Sequence, residues 1–177
     1  MLYPLPAVMI SCGREGEKPN IITVAWAGTV CSDPVMVSVS VRPERYSHAI
    51  IEETGEFVIN LTTKELAYAT DYCGVKSGRN TDKFKDMKLT PVKSNEVKCP
   101  SIGESPVSLE CRVTEEKKLG SHTMFIAEVV NVSVDEKYLN KKGKFELNAS
   151  NLLVYSHGEY RELGKYIGKF GYSVKKK

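Results

Sequence analysis

The chain has 177 residues, of which 41% are apolar and 27% are charged, and its formal net charge is +3. This length and composition predict one globular domain with its own hydrophobic core. A nucleic-acid-binding protein needs a clustered basic face, and a net charge this small argues against one. The one basic run, Lys175–Lys177, is expected to be a solvated tail.

Signals for membrane insertion, export and metal binding are missing from the sequence. Its longest apolar stretches have the length of a strand, well below the ~20 residues of a membrane-spanning helix. The N-terminus has no basic segment followed by a long apolar one, so we expect no signal peptide and a cytoplasmic location. The five cysteines are odd in number and form no C-x-x-C pair, which argues against disulfides and against a zinc or iron–sulfur site.

Strand patterns dominate the first third of the chain. Apolar runs predict strands over 7–12 and 21–31. Residues 35–41 alternate valine with small polar residues, so the valines should face a core and the serines the opposite side. The turn pair Asp33-Pro34 should join the last two strands into a hairpin.

Helices are predicted next. Pro43 should open the first one, with Ala49, Ile50 and Ile51 facing inward and Gly55 just after its end. The pattern Thr62-x-x-Glu65 resembles a capping box and predicts a second helix. A polar loop over 74–80 and a short third helix over 81–87 should follow.

Further strands are predicted over 57–61, 107–113, 125–134 and 152–155, with a turn at 119–122. The glycine- and lysine-rich segment 158–177 is expected to wrap a surface or a partner subunit. About seven strands in hairpins, without β-α-β alternation, predict a closed or nearly closed antiparallel barrel with helices outside. Neither a G-x-G-x-x-G pattern nor a Walker loop is present, which excludes a Rossmann or P-loop nucleotide site.

The first candidate for a binding site lies on the strand after residue 19. Asn20, Trp26 and Gly28 are evenly spaced and should share one strand face. A tryptophan beside a glycine would leave a flat slot for a planar ring, with Asn20 hydrogen-bonding its polar edge. Alternatively, Trp26 fills the barrel core and Gly28 is a bulge.

Two cationic segments are candidates for an anion site. The start of the first helix carries Arg45, Ser47 and His48, and a helix N-terminus suits a phosphate. The loop residues Ser77 and Lys83 could add positive charge near an anionic ligand. The alternatives are an ordinary amphipathic helix with solvated arginines and a mobile surface loop.

A lone histidine, His122, is predicted at the tip of the hairpin between 119 and 122. It could donate to a planar cofactor or stand beside the donor of a hydride. The alternative is an exposed loop histidine. No second histidine lies at metal-ligand spacing, and no hydrolytic motif is present.

Four segments, taken in order, resemble motifs of the flavin reductase-like family, which includes the flavoredoxins. These segments are residues 20–34, 54–61 (TGEFVINL), 77–84 (SGRNTDKF) and 120–129 (GSHTMFIAEV). Together they cover roughly residues 5–155. The resemblance implies a single flavin reductase-like domain over 1–177, with its barrel core at about 5–155 and a C-terminal extension over 156–177. The implied fold is mainly β, a six-stranded antiparallel Greek-key split barrel with flanking α-helices.

The resemblance also implies which residues hold a flavin. Asn20 and Trp26 would line the ring, Ser47 would reach the phosphate or ribityl chain, and Lys83 would supply a cation. His122 would be the catalytic residue. The full set of candidate FMN-binding residues is Asn20, Thr23, Trp26, Ala27, Gly28, Thr29, Arg45, Ser47, Ser77, Lys83, His122 and Tyr155.

The function that the resemblance implies is electron transfer through bound FMN in a homodimer. The enzyme would be an NAD(P)H-dependent flavin oxidoreductase. Two alternatives remain at this stage, an electron carrier that exchanges electrons with a redox protein and a flavin storage module. A more distant alternative is a barrel that binds haem or pyridoxal phosphate. Neither nucleic acid nor a membrane is expected as a partner.

Overall fold

The protein is built around one large antiparallel sheet, seen in a computed structural model that describes residues 2–174. The expected lysine tail, 175–177, lies outside the described residues. In chain order the strands are β1 (Leu5–Pro6), β2 (Val8–Cys12), β3 (Asn20–Val24), β4 (Ala27–Ser32), β5 (Val35–Val41), β6 (Glu56–Leu61), β7 (Pro91–Val92), β8 (Ser101–Ile102), β9 (Val107–Leu119), β10 (His122–Val134), β11 (Leu153–Ser156) and β12 (Glu159–Glu162). The α-helices are α1 (Tyr46–Thr54), α2 (Ala67–Val75) and α3 (Lys83–Asp86).

The large sheet closes into a barrel. Its strand order is β3-β2-β6-β9-β10-β5-β4, so β3 and β4 form its two edges. Only Ala25 and Trp26 separate these two strands in sequence, which brings the edges together. Counted as one bent strand, β3 and β4 complete a six-stranded barrel, and the predicted mainly β fold is confirmed. The prediction of one unbroken strand over 21–31 was wrong, because the chain bends at Ala25–Trp26 to close the barrel.

The barrel interior is filled by alternating apolar residues, as the valine pattern predicts. Val37, Val39 and Val41 are buried and pack with Phe57 and Phe125 in one cluster. The serines between these valines are only half-buried and face the opposite side. The predicted hairpin of β4 and β5 is also present.

The first helix differs from its prediction at its start. It begins at Tyr46 rather than next to Pro43, because Arg45 has extended backbone angles. Ala49 is exposed, although it was predicted to face inward. Gly55 was predicted correctly. Its φ of +66° is left-handed, and its N–H donates to the carbonyl of Ile51 over 2.9 Å.

The capping box predicted at Thr62 does not form. Thr62 is buried and its hydroxyl donates to the carbonyl of Ala7 over 2.5 Å, which joins this segment to the residue just before β2. A 3₁₀ turn over Lys64–Leu66 comes first, and α2 then runs through Val75, two residues into the predicted loop. The helices cover a second apolar cluster outside the barrel, whose members are Met9, Ile21, Leu66, Ala69, Cys73, Phe84, Leu89 and Ile102.

The later strands are longer than predicted, and they meet at the predicted turn. β9 and β10 each have 13 residues and pair along their length. Gly120, at the turn, has a φ of +65°. Strands β1, β11 and β12 form a separate three-stranded sheet, and β7 pairs with β8. None of the helices in residues 2–174 has the length and apolar character needed to cross a membrane.

Candidate flavin site

The start of α1 opens onto a cavity of about 220 Å³. The first N–H groups of a helix have no partners within it, and this end carries partial positive charge, so it attracts anions. Ser47, in the first turn, is 1% exposed. The chain thus places a buried hydroxyl and free backbone donors at one end of the cavity.

The floor of this cavity is fixed by a buried hydrogen bond between β3 and α1. Asn20 Nδ2 donates to Ser47 Oγ over 2.7 Å. Gly78, in the loop between α2 and α3, lies against this pair, because a Cβ at that position would overlap the Asn20 carboxamide. Residue 78 must therefore stay glycine for the loop to close over the floor. We call this space the Asn20–Ser47 cavity, and its lining residues are Asn20, Ile22, Arg42, Glu44, Arg45, Tyr46, Ser47, Cys73, Gly74, Lys76, Ser77, Gly78 and Lys83.

The rim of the Asn20–Ser47 cavity carries an excess of positive charge. Arg42 is paired with a neighbouring glutamate at 3.2 Å. Arg45, Lys76 and Arg79 form no ion pair with a carboxylate within residues 2–174. The guanidinium carbon of Arg79 lies 5.6 Å from the ring centroid of Tyr46, within cation–π range. Cations, hydroxyls and helix N–H groups together have the chemistry of a phosphate site.

Lys83 is held inside the protein rather than on a surface loop. It is 3% exposed, and its ammonium donates to the carbonyls of Ile21 (2.5 Å) and Cys73 (2.8 Å). Burial lowers the pKa of Lys83 to about 8. The ammonium group of Lys83 therefore lies beneath the cavity and loses its proton close to neutral pH. The nearby thiols differ, since burial raises the pKa of Cys73 to about 11 and that of Cys12 to about 12, which keeps both protonated at neutral pH.

A second, aromatic cavity of about 110 Å³ is built around Trp26 and His122, and we call it the Trp26–His122 cavity. Their ring centroids are 5.1 Å apart with an angle of 66° between the planes. Trp26 is 53% exposed, so it does not fill the barrel core. His122 Nδ1 lies 2.9 Å from Ser121 Oγ, a hydrogen bond that orients the half-buried imidazole. An open indole face beside an imidazole can accept a planar ring.

The two cavities adjoin. Ile22, Arg42 and Arg45 line both of them, so the cationic space continues into the aromatic one. The prediction that Asn20 and Trp26 share one strand face was wrong, because the strand breaks between them. Asn20 is buried in the floor of the first cavity and Trp26 lines the second.

The other predicted residues on this strand are arranged as follows. Thr23 lines the Trp26–His122 cavity, and its hydroxyl donates to a carbonyl of α2 over 2.5 Å. Ala27 is half-buried on β4, where Gly28 and Thr29 are exposed. A Cβ at Gly28 would have nothing within 4 Å, so open space lies beside it. Ala27, Gly28 and Thr29 therefore follow Trp26 along β4 and line neither cavity.

Tyr155 is a predicted site residue that lies in a different sheet from the two cavities. It lies on β11 in the three-stranded sheet, where its ring centroid is 6.1 Å from that of Tyr3 and 5.8 Å from that of Tyr160. Burial raises the pKa of Tyr160 to about 12. Within one chain, Tyr155 lines neither cavity.

His48 was proposed as a donor at the start of α1, but it faces β10 and does not line the Asn20–Ser47 cavity. It is 5% exposed, with Nε2 hydrogen-bonded to Thr123 Oγ1 over 2.8 Å and its ring 5.3 Å from that of Phe125. Thr123 follows His122 on β10, so His48 joins the first turn of α1 to the strand that carries His122. His48 lies three residues before the buried Ile51 on the same helix. This spacing places both residues on one helix face and indicates that His48 points inward. Arg42, Tyr46, Lys76 and Gly78 also line the first cavity and were not among the predicted site residues.

No group of three or more His, Cys, Asp or Glu side chains within residues 2–174 could hold a metal ion. The residues that line the two cavities offer anion binding at the start of α1 and contact with a planar ring at Trp26.

Comparison with known proteins agrees with this geometry. The family model described as "Flavin reductase like domain" matches residues 1–164. A protein of Archaeoglobus fulgidus described as uncharacterized is 37% identical over 158 residues, which is 89% of this chain and 87% of that protein. The solved flavoredoxin of Desulfovibrio vulgaris (Miyazaki F) superposes with a TM-score of 0.91 at 33% identity, covering 99% of this chain and 95% of that one. The flavoredoxin of Methanosarcina acetivorans gives a TM-score of 0.87 at 29% identity, with 99% and 95% covered. The chain belongs to the flavin reductase-like family.

Proposed function

We propose that this protein binds FMN across the two adjoining cavities and transfers electrons through it. The observation that carries the proposal is the continuity of a cationic cavity with an aromatic one, through Ile22, Arg42 and Arg45. FMN has the same two parts, a phosphate monoester at one end and a planar ring at the other. Membership of the flavin reductase-like family and the likeness to flavoredoxins support a flavin as the ligand.

The residues present fit this cofactor at both ends. At the phosphate end, Ser47, Ser77 and the first N–H groups of α1 would donate, and Arg45 would supply charge. At the ring end, Trp26 would form one wall and the His122 imidazole would reach the ring edge. Ala27, Gly28 and Thr29 would contact the outer part of the ring, where β4 is open.

Bound FMN would supply the redox chemistry, accepting a hydride from NAD(P)H and passing electrons on. The chain's own residues would bind, orient and tune it. Asn20 keeps Ser47 in place through their hydrogen bond. The buried ammonium of Lys83 would favour negative charge on the cofactor, because charges interact strongly at a site shielded from water. His122 would be the catalytic residue, holding a proton at its Nε2 beside the reacting ring.

The resemblance implies a homodimer. In such a dimer, Tyr155 would reach a flavin only across the interface between the two subunits. As a second candidate, the protein carries electrons between redox proteins without using NAD(P)H. The open Trp26–His122 cavity favours neither the NAD(P)H-dependent enzyme nor the carrier. Identifying the electron donor would distinguish the two.

Anaerobic reduction tests the enzymatic version of the proposal. The purified protein is loaded with FMN, and NADH or NADPH is added while the flavin absorbance is recorded. Bleaching by one of the two, lost in a His122→Ala variant and retained in a control Ser133→Ala variant, is the expected result. Flavin bands that persist with both donors but bleach with dithionite would contradict NAD(P)H-dependent turnover and support the carrier.

A further inference from the structure

Two buried hydrogen bonds hold the first turn of α1, and adjacent residues make them to different strands. Ser47 accepts one bond from Asn20 of β3 over 2.7 Å. The next residue, His48, has its Nε2 2.8 Å from Thr123 Oγ1 of β10. All four side chains are at most 5% exposed. Because β3 and β10 are not neighbours in the sheet, the two bonds fix the start of the helix relative to two separate parts of the barrel.

The His48–Thr123 pair lies in an otherwise apolar part of the barrel. Thr123 shares the buried face of β10 with Phe125 and Ala127, and it pairs with Val41 of β5. The His48 ring lies 5.3 Å from that of Phe125. Apolar side chains of similar size would fill this space without the cost of burying two polar groups. What the pair adds is therefore a defined geometry between α1 and β10.

Each partner in this bond stands next to a residue of the candidate site. Ser47 precedes His48 and lines the first of the two cavities, whereas His122 precedes Thr123 and lines the second. Successive side chains of a strand point to opposite faces, so Thr123 faces the barrel interior while His122 faces the cavity. The bond therefore sets the spacing of the two cavities from inside the barrel, although neither of its partners lines a cavity.

The other nitrogen of the His48 ring faces a carboxylate. Its Nδ1 lies 3.8 Å from Glu52 Oε2, one turn further along α1. Glu52 also lies 3.9 Å from the ammonium of Lys118, the residue of β9 that pairs with Thr123. A carboxylate on this side favours a proton on Nδ1, which leaves Nε2 to accept from the Thr123 hydroxyl. The imidazole is thus oriented from both of its nitrogens.

We propose that His48 is a positioning residue, which sets the distance between the phosphate end and the ring end of the flavin site through its bond to Thr123. The inference rests on the proposed function, because that function assigns the FMN phosphate to the start of α1 and the ring to the Trp26–His122 cavity. FMN must be contacted at both ends at once, and such a site needs its groups held within about 0.5 Å of the binding geometry. Riboflavin lacks the phosphate, so its binding does not depend on this distance.

The ratio of the riboflavin dissociation constant to the FMN dissociation constant tests this role, because it isolates what the phosphate adds. His48→Phe keeps a ring beside Phe125 and removes the hydrogen bond, so the ratio should fall at least about threefold. His48→Gln should restore the ratio, since the glutamine amide can take the place of Nε2. Thr123→Val removes the bond from its other partner and should lower the ratio by the same factor, with no further fall in the double variant. Thr114→Val, at an exposed threonine of β9, is the matched control.

A role in stability alone would lower the melting temperature and weaken both ligands alike, and an unchanged ratio in His48→Phe and Thr123→Val would overturn the proposal. So would a fall in His48→Phe that glutamine does not reverse or that Thr123→Val does not reproduce. Thermal unfolding shows which variants are folded during the titration, and Thr123→Val, which nearly keeps the shape of threonine, carries the test if His48→Phe does not fold. Wild type that binds neither flavin would overturn the proposed function and this inference with it, whereas an unchanged ratio overturns the inference alone.

Discussion

The carboxamide of Asn20 donates a hydrogen bond of 2.7 Å to the hydroxyl of Ser47, and both side chains are buried. This one contact joins the edge strand β3 to the first turn of α1. Because Ser47 Oγ accepts this bond, its own O–H can still act as a donor, either to the buried Cys12 thiol or to a ligand. The bond thus orients the hydroxyl that we assign to the FMN phosphate.

Replacing Ser47 with alanine should reduce the affinity for FMN about tenfold or more, since hydrogen bonds to charged groups contribute about 1.5–3 kcal/mol. Riboflavin has no phosphate, so its affinity should change much less. Flavin fluorescence titrations give both values, with Ser133→Ala, an exposed serine on β10, as the control. Equal losses for the two ligands would move the phosphate site elsewhere.

Replacing Trp26 with alanine should weaken FMN and riboflavin by the same factor, because both share the ring that Trp26 would contact. A ring–ring contact contributes about 0.5–1.5 kcal/mol, so the expected loss is roughly 2- to 10-fold. Trp26→Phe should retain most of the affinity, since it keeps an aromatic wall. Unchanged binding of both flavins to the alanine variant would exclude Trp26 from the site.

Replacing Lys83 with methionine should lower the reduction potential of bound FMN at pH 7, since a buried cation near the cofactor would favour its reduced, anionic form. The pKa of Lys83 is lowered to about 8. The difference in potential between wild type and variant should therefore narrow at pH 9, where the amine is largely neutral. Spectroelectrochemical titration at both pH values measures it. An equal or higher potential in the variant at pH 7 would rule out this role.

The same pKa predicts a pH dependence of stability. Above pH 8 the folded state loses the Lys83 proton while the unfolded state keeps it up to the ordinary value of 10.5. The unfolded state then binds more protons, so the free energy of unfolding should rise with pH in this window. Buried thiols such as Cys12, whose pKa is raised to about 12, act in the opposite direction above pH 9.

Comparison with Lys83→Met isolates the lysine, because both proteins keep the thiols. Urea unfolding at pH 7, 8, 9 and 10 should show the stability of the wild type rising relative to that of the variant above pH 8. If the free energies of unfolding of wild type and variant differ by the same amount at every pH, Lys83 has its ordinary pKa in the folded protein.

Much of the barrel follows from local sequence patterns. The alternation over 35–41 correctly predicts which valines are buried, and Gly55 marks the end of α1. Turn residues likewise predict both hairpins around β5 and β9. These features depend on neighbours in sequence, which is why a pattern reveals them.

The parts that sequence reading missed depend on tertiary contacts. The break at Ala25–Trp26 exists because the sheet must close, and nothing in the apolar run 21–31 signals it. Lys83 looks like a solvated loop lysine, but the carbonyls that hold it come from β3 and α2. The rim arginine Arg42 joins the site only when α1 and the loop before α3 meet around the cavity.

The central claim is that FMN occupies the Asn20–Ser47 and Trp26–His122 cavities together. Trp26 is the single tryptophan of the chain, so its fluorescence reports on one known place. Titrating the protein with FMN should quench this emission to saturation at one flavin per chain, and Ser47→Ala should need more FMN to reach the same end point. Saturable FMN binding that leaves the Trp26 emission unchanged, or no binding at all, would contradict the account.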